Sequence, residues 1–300
     1  MGSESSSLRN VSISEKQLIE KLSYDVILYE GKLNSSNQKI SMFEDLSKEN
    51  LFTNYTVERP LARTIHNLKI YRHPYSIVKF LASTSDKILV TELLHGSLAR
   101  VIKSQNEIQT CLGLKNILNA LIFLVETAKM RHLNVCIESI FVTVEAGHWK
   151  LNGFEHVFKS ADITKEFLQK SRPFRNKVSI DPHESDGTGL EQFAFATLCE
   201  TVISRNDKIP YAEGFLTYCQ THLKHKNPSV RPLLSAVLLH DFFNHDFIVI
   251  HSFLAELPLK SQQAKVEFFK SLTGKLKQFD ENIIGSQLSD LLLSRLVLLE

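Results

Sequence analysis

The sequence has little of several features that define specialised protein classes. Glycine and proline number only 11 and 8 among 300 residues, too few for a fibrous or low-complexity chain. The 35 basic and 33 acidic residues leave a formal charge of +2, so we expect no nucleic-acid partner. No uninterrupted apolar run reaches the ~18 residues of a membrane span, and no signal-peptide core is present. We therefore expect a globular protein on the cytosolic side of the membrane.

Cysteine is also scarce. The four cysteines, at 111, 136, 199 and 219, include no C-x-x-C pair, which argues against a zinc site or a dithiol redox motif. A disulfide framework is not expected in a chain of this size, so free buried thiols are predicted. The 12 histidines lack the neighbouring ligands that complete a zinc set. The sequence therefore predicts neither a metal ion nor a cofactor.

The first residues carry a lipidation pattern. Gly2 follows the initiator methionine and Ser6 occupies the favoured hydroxyl position, as in N-myristoylated proteins. The alternative is a chance match or a cloning remnant. A single myristoyl chain binds membranes marginally and reversibly. We predict an acylation segment at residues 1–20 that gives reversible membrane contact.

Hydrophobic periodicity divides the rest of the chain into a β-rich part and a helical part. A helix is predicted at 57–71, before the breaker at 72–74. After residue 107 helical spacing dominates, interrupted by a hairpin at 140–151. These features predict an α+β fold with two lobes. The predicted strands of the first lobe are 25–29, 39–43, 77–82 and 87–91.

The C-terminal part, 248–300, has a different pattern. Apolar residues at helical spacing mark amphipathic helices, with Pro258 and Gly274 between them. The last predicted helix carries leucines from Leu288 to Leu299. Helix pairs of this kind stack into solenoids, in which each pair covers the next. We predict the start of such a solenoid here.

Several stretches resemble protein-kinase signatures and occur in the kinase order. They correspond to the segment that joins the αC helix to the fourth strand, to the hinge and the turn after it, to the start of helix F and to the C-terminal signature. The resemblance implies a two-lobed protein-kinase-like fold over residues 21–247. The stretches are 72–80, 89–92, 96–98, 191–196, 227–232 and 240–243.

The same resemblance implies that the residues of phosphoryl transfer are missing. Phe43 stands where kinases have the lysine of the third strand. Asn134 stands for the catalytic base, Cys136 for the neighbouring lysine and Ser139 for a metal ligand. Gly153 replaces the aspartate of the metal-binding Asp-Phe-Gly segment. All five positions are therefore degenerate, and no catalytic residue is predicted.

The loss has a physical consequence, because ATP carries charges that only metal ions and cations can neutralise in a dry cleft. Counting back from Pro74 puts the position of the αC glutamate near Thr64, and a glycine-rich loop is represented by Gly31 at most. Glu155 lies two residues past Gly153, so its carboxylate is expected to point elsewhere. We predict a protein that is not an enzyme. A weak or unconventional kinase and an ATP-binding switch without transfer remain as alternatives.

Residues that support the kinase fold are retained. Phe154 is expected to pack under αC, and Glu191 to bind the backbone of the catalytic loop. By the same resemblance, Arg231 is expected to pair with Glu184. Architecture that persists without chemistry indicates a scaffold.

Three further stretches narrow the resemblance to the Scy-like pseudokinase family, in which a degenerate kinase domain is fused to HEAT-type helical repeats. The resemblance implies protein partners in Golgi and vesicle trafficking or in cell adhesion and migration. An ezrin-like cytoskeletal partner would bind a C-terminal region beyond this chain. It also implies a cytoplasmic location with Golgi, peripheral-membrane and leading-edge association. The stretches are 147–151, 240–247 and 259–272.

Overall fold

A computed structural model describes residues 13–49, 56, 58–204, 209 and 211–294. The predicted lipidation site Gly2 and the C-terminal Leu299 lie outside the described residues. The acylation therefore stays a prediction. The domain boundaries after residues 20 and 247 also stay predictions.

The first lobe is a five-stranded antiparallel sheet in the order β1-β2-β3-β5-β4. Side chains of β3 alternate between two cores, as the two-residue period of a strand requires. Ile40 and Met42 pack with Val90 on one face, whereas Phe43 joins the main core on the other. The elements are β1 Ile13–Lys21, β2 Val26–Leu33, β3 Lys39–Asp45, α1 Pro60–Ile70, β4 Phe80–Thr84 and β5 Ile88–Thr91.

The predicted strands 39–43 and 87–91 agree with β3 and β5 to within two residues. The helix predicted at 57–71 begins at Pro60, because proline at the first helical position lacks only an N–H that would be unpaired there. The strand predicted at 77–82 lies further along the chain, at Phe80–Thr84. β1 was not predicted, because four charged side chains interrupt its apolar pattern.

The second lobe is mainly helical and surrounds α3, whose N-terminus has a capping box formed by Asn106 and Gln109. The predicted hairpin is confirmed as β8 and β9, joined through a turn at Gly147. The elements are β6 Leu94–Ser97, α2 Leu98–Val101, α3 Glu107–Ile122, β7 Met130–His132, β8 Ile140–Thr143, β9 Trp149–Leu151, β10 Val157–Lys159, α4 Lys165–Ser171, α5 Leu190–Ile203, α6 Ala212–Tyr218 and α7 Leu234–Val237.

The hairpin packs against α3 through one close contact. Trp149 is fully buried, and its indole Nε1 donates a hydrogen bond to Gln105 at 2.8 Å. A Cβ on Gly113 would lie 2.1 Å from the Trp149 ring. Only glycine allows the helix to approach the ring this closely.

The helical run Glu107–Thr127, which includes α3, is long and apolar enough to cross a membrane by length and composition. Polar residues interrupt this run, so it contains no uninterrupted apolar stretch of that length. Of its most apolar window, 61% is buried inside the protein. This burial is typical of a core helix.

Three helices follow the kinase-like part and share its core. α8 packs on α3 and α10, and Phe253 of α8 stacks on Phe268 of α9 with ring centroids 3.9 Å apart. In α10, the Gln287 side chain donates a hydrogen bond to the carbonyl of Ala146 in the hairpin turn. The helices are α8 Asp246–Ala255, α9 Gln262–Leu276 and α10 Glu281–Leu292.

Candidate functional site between the two lobes

A cavity of about 410 Å³ lies between the lobes. All five positions that the sequence identified as degenerate line it, so the chain folds them into one site. Its wall also contains the β1–β2 turn and the segment 173–176. The degenerate positions are Phe43, Asn134, Cys136, Ser139 and Gly153.

Phe43 forms an apolar part of the cavity wall on the side of the first lobe. It lies on β3 with only 2% of its surface exposed, and its ring meets Phe141 edge-on with centroids 5.3 Å apart. Aromatic pairs favour this arrangement. The contact gives the site an apolar surface at the place where the kinase resemblance puts a cation.

Polar groups of the lower wall bind one another. The backbone N–H of Asn176 donates to Asn134 Oδ1 at 2.6 Å. Ser139 Oγ donates to the carbonyl of Cys136 at 2.9 Å and accepts from its N–H at 3.1 Å. Burial raises the pKa of the Cys136 thiol to about 12, so this thiol stays protonated. These hydrogen bonds hold the loop in shape.

Gly153 and Glu155 lie at the back of the cavity. Gly153 has a φ of 75°, and a Cβ there would lie 2.9 Å from Ser139 Cβ. The Glu155 carboxylate accepts a hydrogen bond from Thr64 on α1 at 2.8 Å. Burial raises the pKa of Glu155, while the Thr64 hydrogen bond opposes the rise. The structure thus joins Glu155 to Thr64, the residue at the position of the αC glutamate.

The β1–β2 turn reaches the cavity with a tyrosine. Gly31 lies within β2 and not in this turn, so the prediction that it represents a glycine-rich loop is wrong. The Tyr24 hydroxyl donates to the Phe174 carbonyl at 2.5 Å and lies 3.4 Å from His156 Nε2. Burial and the charge of Glu155 raise the pKa of Tyr24 above its ordinary value.

The charges on the cavity wall do not suit a polyphosphate. The acidic side chains are Glu20, Glu138 and Glu155, and the basic ones are Lys21 and Arg175. Arg175 forms a bidentate pair with Glu184, at 3.1 and 2.8 Å. Its charge is therefore already compensated.

Behind the cavity, a buried glutamate supports the loop that carries Asn134. The Glu191 carboxylate accepts hydrogen bonds from the His132 backbone N–H at 2.9 Å and from Arg131 at 3.0 Å. The predicted bond between Glu191 and the loop backbone is confirmed. Burial lowers the pKa of His132 to about 4, and His132 Nε2 lies 2.6 Å from the Asn152 carbonyl.

Arg231 has a different partner from the predicted one. It pairs with Asp181 at 2.5 Å and donates to the Gly189 carbonyl at 2.8 Å. Glu184 is already bound by Arg175, whose planar guanidinium matches both carboxylate oxygens. We refer to Arg131–Glu191, Arg175–Glu184 and Arg231–Asp181 together as the ion-pair frame.

Sequence reasoning missed Glu20, Tyr24 and Ser97 in the cavity wall. Glu20 and Tyr24 lie outside every kinase signature, and only their position in the β1–β2 hairpin could have indicated them. Within the described part of the chain, no three His, Cys, Asp or Glu side chains are grouped so that they could hold a metal ion.

The antiparallel sheet, the helical second lobe and the cavity between them define a protein of the kinase-like class. The crystal structure of Cex1p matches 95% of this chain and 52% of its own with a TM-score of 0.69, and its 16% identity supports the fold alone. No family model matches the chain.

Two curated relatives identify the family. Over its full length the chain is 34% identical to the mouse "protein-associating with the carboxyl-terminal domain of ezrin", covering 41% of it. Over 90% of its length it is 26% identical to the Schizosaccharomyces pombe "protein kinase domain-containing protein ppk32", covering 45% of it. The chain belongs to the Scy-like family of kinase-like proteins. It spans less than half the length of these curated relatives.

Proposed function

We propose that this chain is a pseudokinase scaffold that acts by binding proteins and transfers no phosphate. The observation that carries the proposal is the makeup of the cleft, where Phe43 packs against Phe141 and carboxylates outnumber cations. A site with this wall does not compensate the charges of a triphosphate.

Each step of phosphoryl transfer lacks its group. Asn134 is an amide, which cannot accept the proton of a substrate hydroxyl as a carboxylate does. Gly153 has no side chain to act as a ligand. Ser139 offers a neutral hydroxyl that already donates a hydrogen bond to the Cys136 carbonyl. Mg²⁺ prefers carboxylates and phosphates as ligands. The proposal follows because positioning and electrostatic stabilisation are nearly the whole of this catalysis.

We propose protein partners in trafficking or in the cytoskeleton. The mouse relative is named for associating with the carboxyl-terminal domain of ezrin, and an ezrin-like partner would bind through a region beyond these 300 residues. The proposed location is the cytoplasm, with Golgi and leading-edge association. An acyl group on Gly2 would give reversible membrane contact.

We also propose that α8–α10 begin a HEAT-type solenoid. The support comes from α8 and α10, which pack against each other, and from the short connection 277–280 between α9 and α10. Only Phe268 and Leu272 of α9 are buried, so much of this helix is left for a further repeat to cover.

Incubation of the purified chain with labelled ATP and Mg²⁺ tests the absence of transfer. Asn134→Ala and Glu155→Gln serve as matched variants, because a contaminating kinase would be unaffected by either. We expect no incorporation above the level shared by all three proteins. Turnover that either substitution abolishes would contradict the scaffold and favour the unconventional kinase.

The remaining cavity of about 410 Å³, with Lys21 on its wall, keeps the ATP-binding switch as a second candidate. A ligand at free concentration c that binds only the folded state stabilises it by RT ln(1 + c/Kd), so the unfolding temperature rises once the ligand concentration exceeds Kd. We expect no shift with MgATP. A magnesium-dependent shift at cellular ATP concentrations would favour the switch instead.

Lipidation and partners are tested together in eukaryotic cells. The mass of the N-terminal peptide should show a myristoyl group, and Gly2→Ala should release the protein from membranes. Proximity labelling with wild type and Gly2→Ala would separate membrane-dependent partners from the others. An unmodified Gly2 would contradict the acylation.

A further inference from the structure

Two side chains from the first hairpin cross the cleft and bind the second lobe. Glu20, near the end of β1, reaches Ser97 at the end of β6. Tyr24, in the β1–β2 turn, reaches Phe174 after α4. The two contacts are far apart in sequence, and both join the rim of the small lobe to the large lobe.

The contact of Glu20 is a two-point hydrogen bond. One carboxylate oxygen accepts from the Ser97 N–H at 2.8 Å, and the other from the Ser97 hydroxyl at 2.6 Å. Gly96 makes room for it, because a Cβ there would lie 3.0 Å from a Glu20 oxygen. Hydrogen bonds to a charged acceptor are stronger than neutral ones. The local backbone is thus shaped to receive this carboxylate.

The contact of Tyr24 keeps a strained turn in place. Tyr24 and Asp25 have φ values of 63° and 55°, a region that costs non-glycine residues free energy unless the surroundings hold them there. The hydroxyl bond to the Phe174 carbonyl supplies such a restraint. Tyr24 also lines the cavity.

The rear of the cleft is held separately through α1. Asn67 donates to the Phe154 carbonyl at 2.8 Å, and Arg63 donates to the Val157 carbonyl at 2.7 Å. Glu20 and Tyr24 therefore close the side of the cleft that α1 leaves open. Together the two sides join the lobes through side chains of the chain itself.

We propose that Glu20, Tyr24, Ser97 and Phe174 form a latch that holds the two lobes together across the front of the cleft. The orientation of the lobes is then a property of the chain itself, and a partner meets a preset surface. A partner that binds the segment at Phe174 would release the latch. The proposal goes beyond the scaffold function and does not depend on the identity of the bound proteins.

Hydrogen exchange of the purified chain tests the latch with Tyr24→Phe, which removes the hydroxyl and keeps the ring. Tyr29→Phe is the matched control, since Tyr29 lies on the neighbouring strand and lines no part of the cavity. Loss of the hydroxyl's bond to Phe174, together with its longer contact to His156, should speed exchange about fivefold. We expect this increase at both 22–26 and 172–176 in Tyr24→Phe and at neither in Tyr29→Phe.

A second variant probes the other contact. Glu20→Gln keeps the size of the side chain but loses one of the two acceptors, so exchange should rise at 94–100. It should also rise at 22–26, because the two contacts hold the same hairpin. Unchanged exchange at 172–176 in Tyr24→Phe, or a Glu20→Gln effect confined to 94–100, would overturn the latch.

Discussion

The cleft and the ion-pair frame behind it lie next to each other but differ in how they use charge. The frame keeps three guanidinium–carboxylate pairs with buried carboxylates. The cleft wall has a phenyl ring, an amide and hydroxyls where the kinase resemblance puts ionic groups. Ionic groups are therefore kept where they hold the fold and are replaced at the positions where the kinase resemblance puts contacts to phosphate and metal.

The difference follows from what each loss would cost. Removing one partner of a buried ion pair leaves an uncompensated charge in a dry interior. A neutral group in the cleft leaves no charge behind, so the fold tolerates it. Substitutions in the two regions should therefore have different energetic consequences.

The largest effect is expected in the frame. Arg231→Ala leaves the buried Asp181 carboxylate without its cation and should reduce the free energy of unfolding by about 3 to 5 kcal/mol. Lys260→Ala is the control, because its pair with Glu256 is exposed and such pairs contribute about 0.5 kcal/mol. Urea unfolding of both variants measures the difference. Equal losses of unfolding free energy would mean that the buried ion pair contributes no more stability than the exposed one.

In the cleft, the apolar contact should contribute more stability than any polar one. Phe43→Ala removes a ring that is 2% exposed and should cost about 3 kcal/mol. Asn134→Ala loses one hydrogen bond and should cost about 1 kcal/mol. The same urea experiment compares them. A larger loss for Asn134→Ala would contradict the view that the cleft is held by apolar packing.

Adding a side chain at Gly153, where the kinase resemblance puts the metal-binding aspartate, should also destabilise the fold. Gly153→Ala places a Cβ 2.9 Å from Ser139 Cβ at a φ of 75°, which should cost about 2 kcal/mol. Gly274→Ala in α9 meets nothing within 4 Å and should raise helix stability slightly. Thermal unfolding should move in opposite directions for the two variants. A neutral Gly153→Ala would show that the position is open.

The smallest effect concerns acid. Burial lowers the pKa of His132 and of His251 to about 4, from an ordinary value of 6.5. The unfolded chain therefore binds protons more readily, so stability is complete above pH 6.5 and falls as the pH drops toward 4. From pH 6.5 to about pH 5.5, each histidine should cost about 1 kcal/mol.

His251→Gln separates the two contributions. Its stability should depend less on pH than that of the wild type, because His132 alone of this pair continues to titrate. Urea unfolding at several pH values measures the slope. An unchanged slope would show that His251 is accessible to protons in the folded protein.

Much of the fold could be predicted because local patterns and kinase signatures agree. The alternation of apolar residues at Ile140 and Val142 predicted the hairpin, and the helical spacing of apolar residues predicted α3. β1 could not be found in this way, because its pairing with β2 and not its own pattern makes it a strand. Edge strands often carry charged side chains.

The site was predicted only where a residue replaces a known kinase group. Asn134 and Gly153 were found by their place in a motif. Tyr24 was not, since a turn tyrosine reveals neither its φ nor its distant partner. The predicted partner of Arg231 was wrong because Asp181 and Glu184 lie only three residues apart in the sequence. Only the fold shows which of the two carboxylates the guanidinium reaches.

Trp149, the only tryptophan in the chain, sits against Gly113 where the hairpin meets α3. Its emission therefore reports a single place in the molecule. Loss of this contact would move the indole from an apolar setting into water and shift its fluorescence to longer wavelengths. The protein thus contains its own optical reporter for docking of the hairpin onto the large lobe.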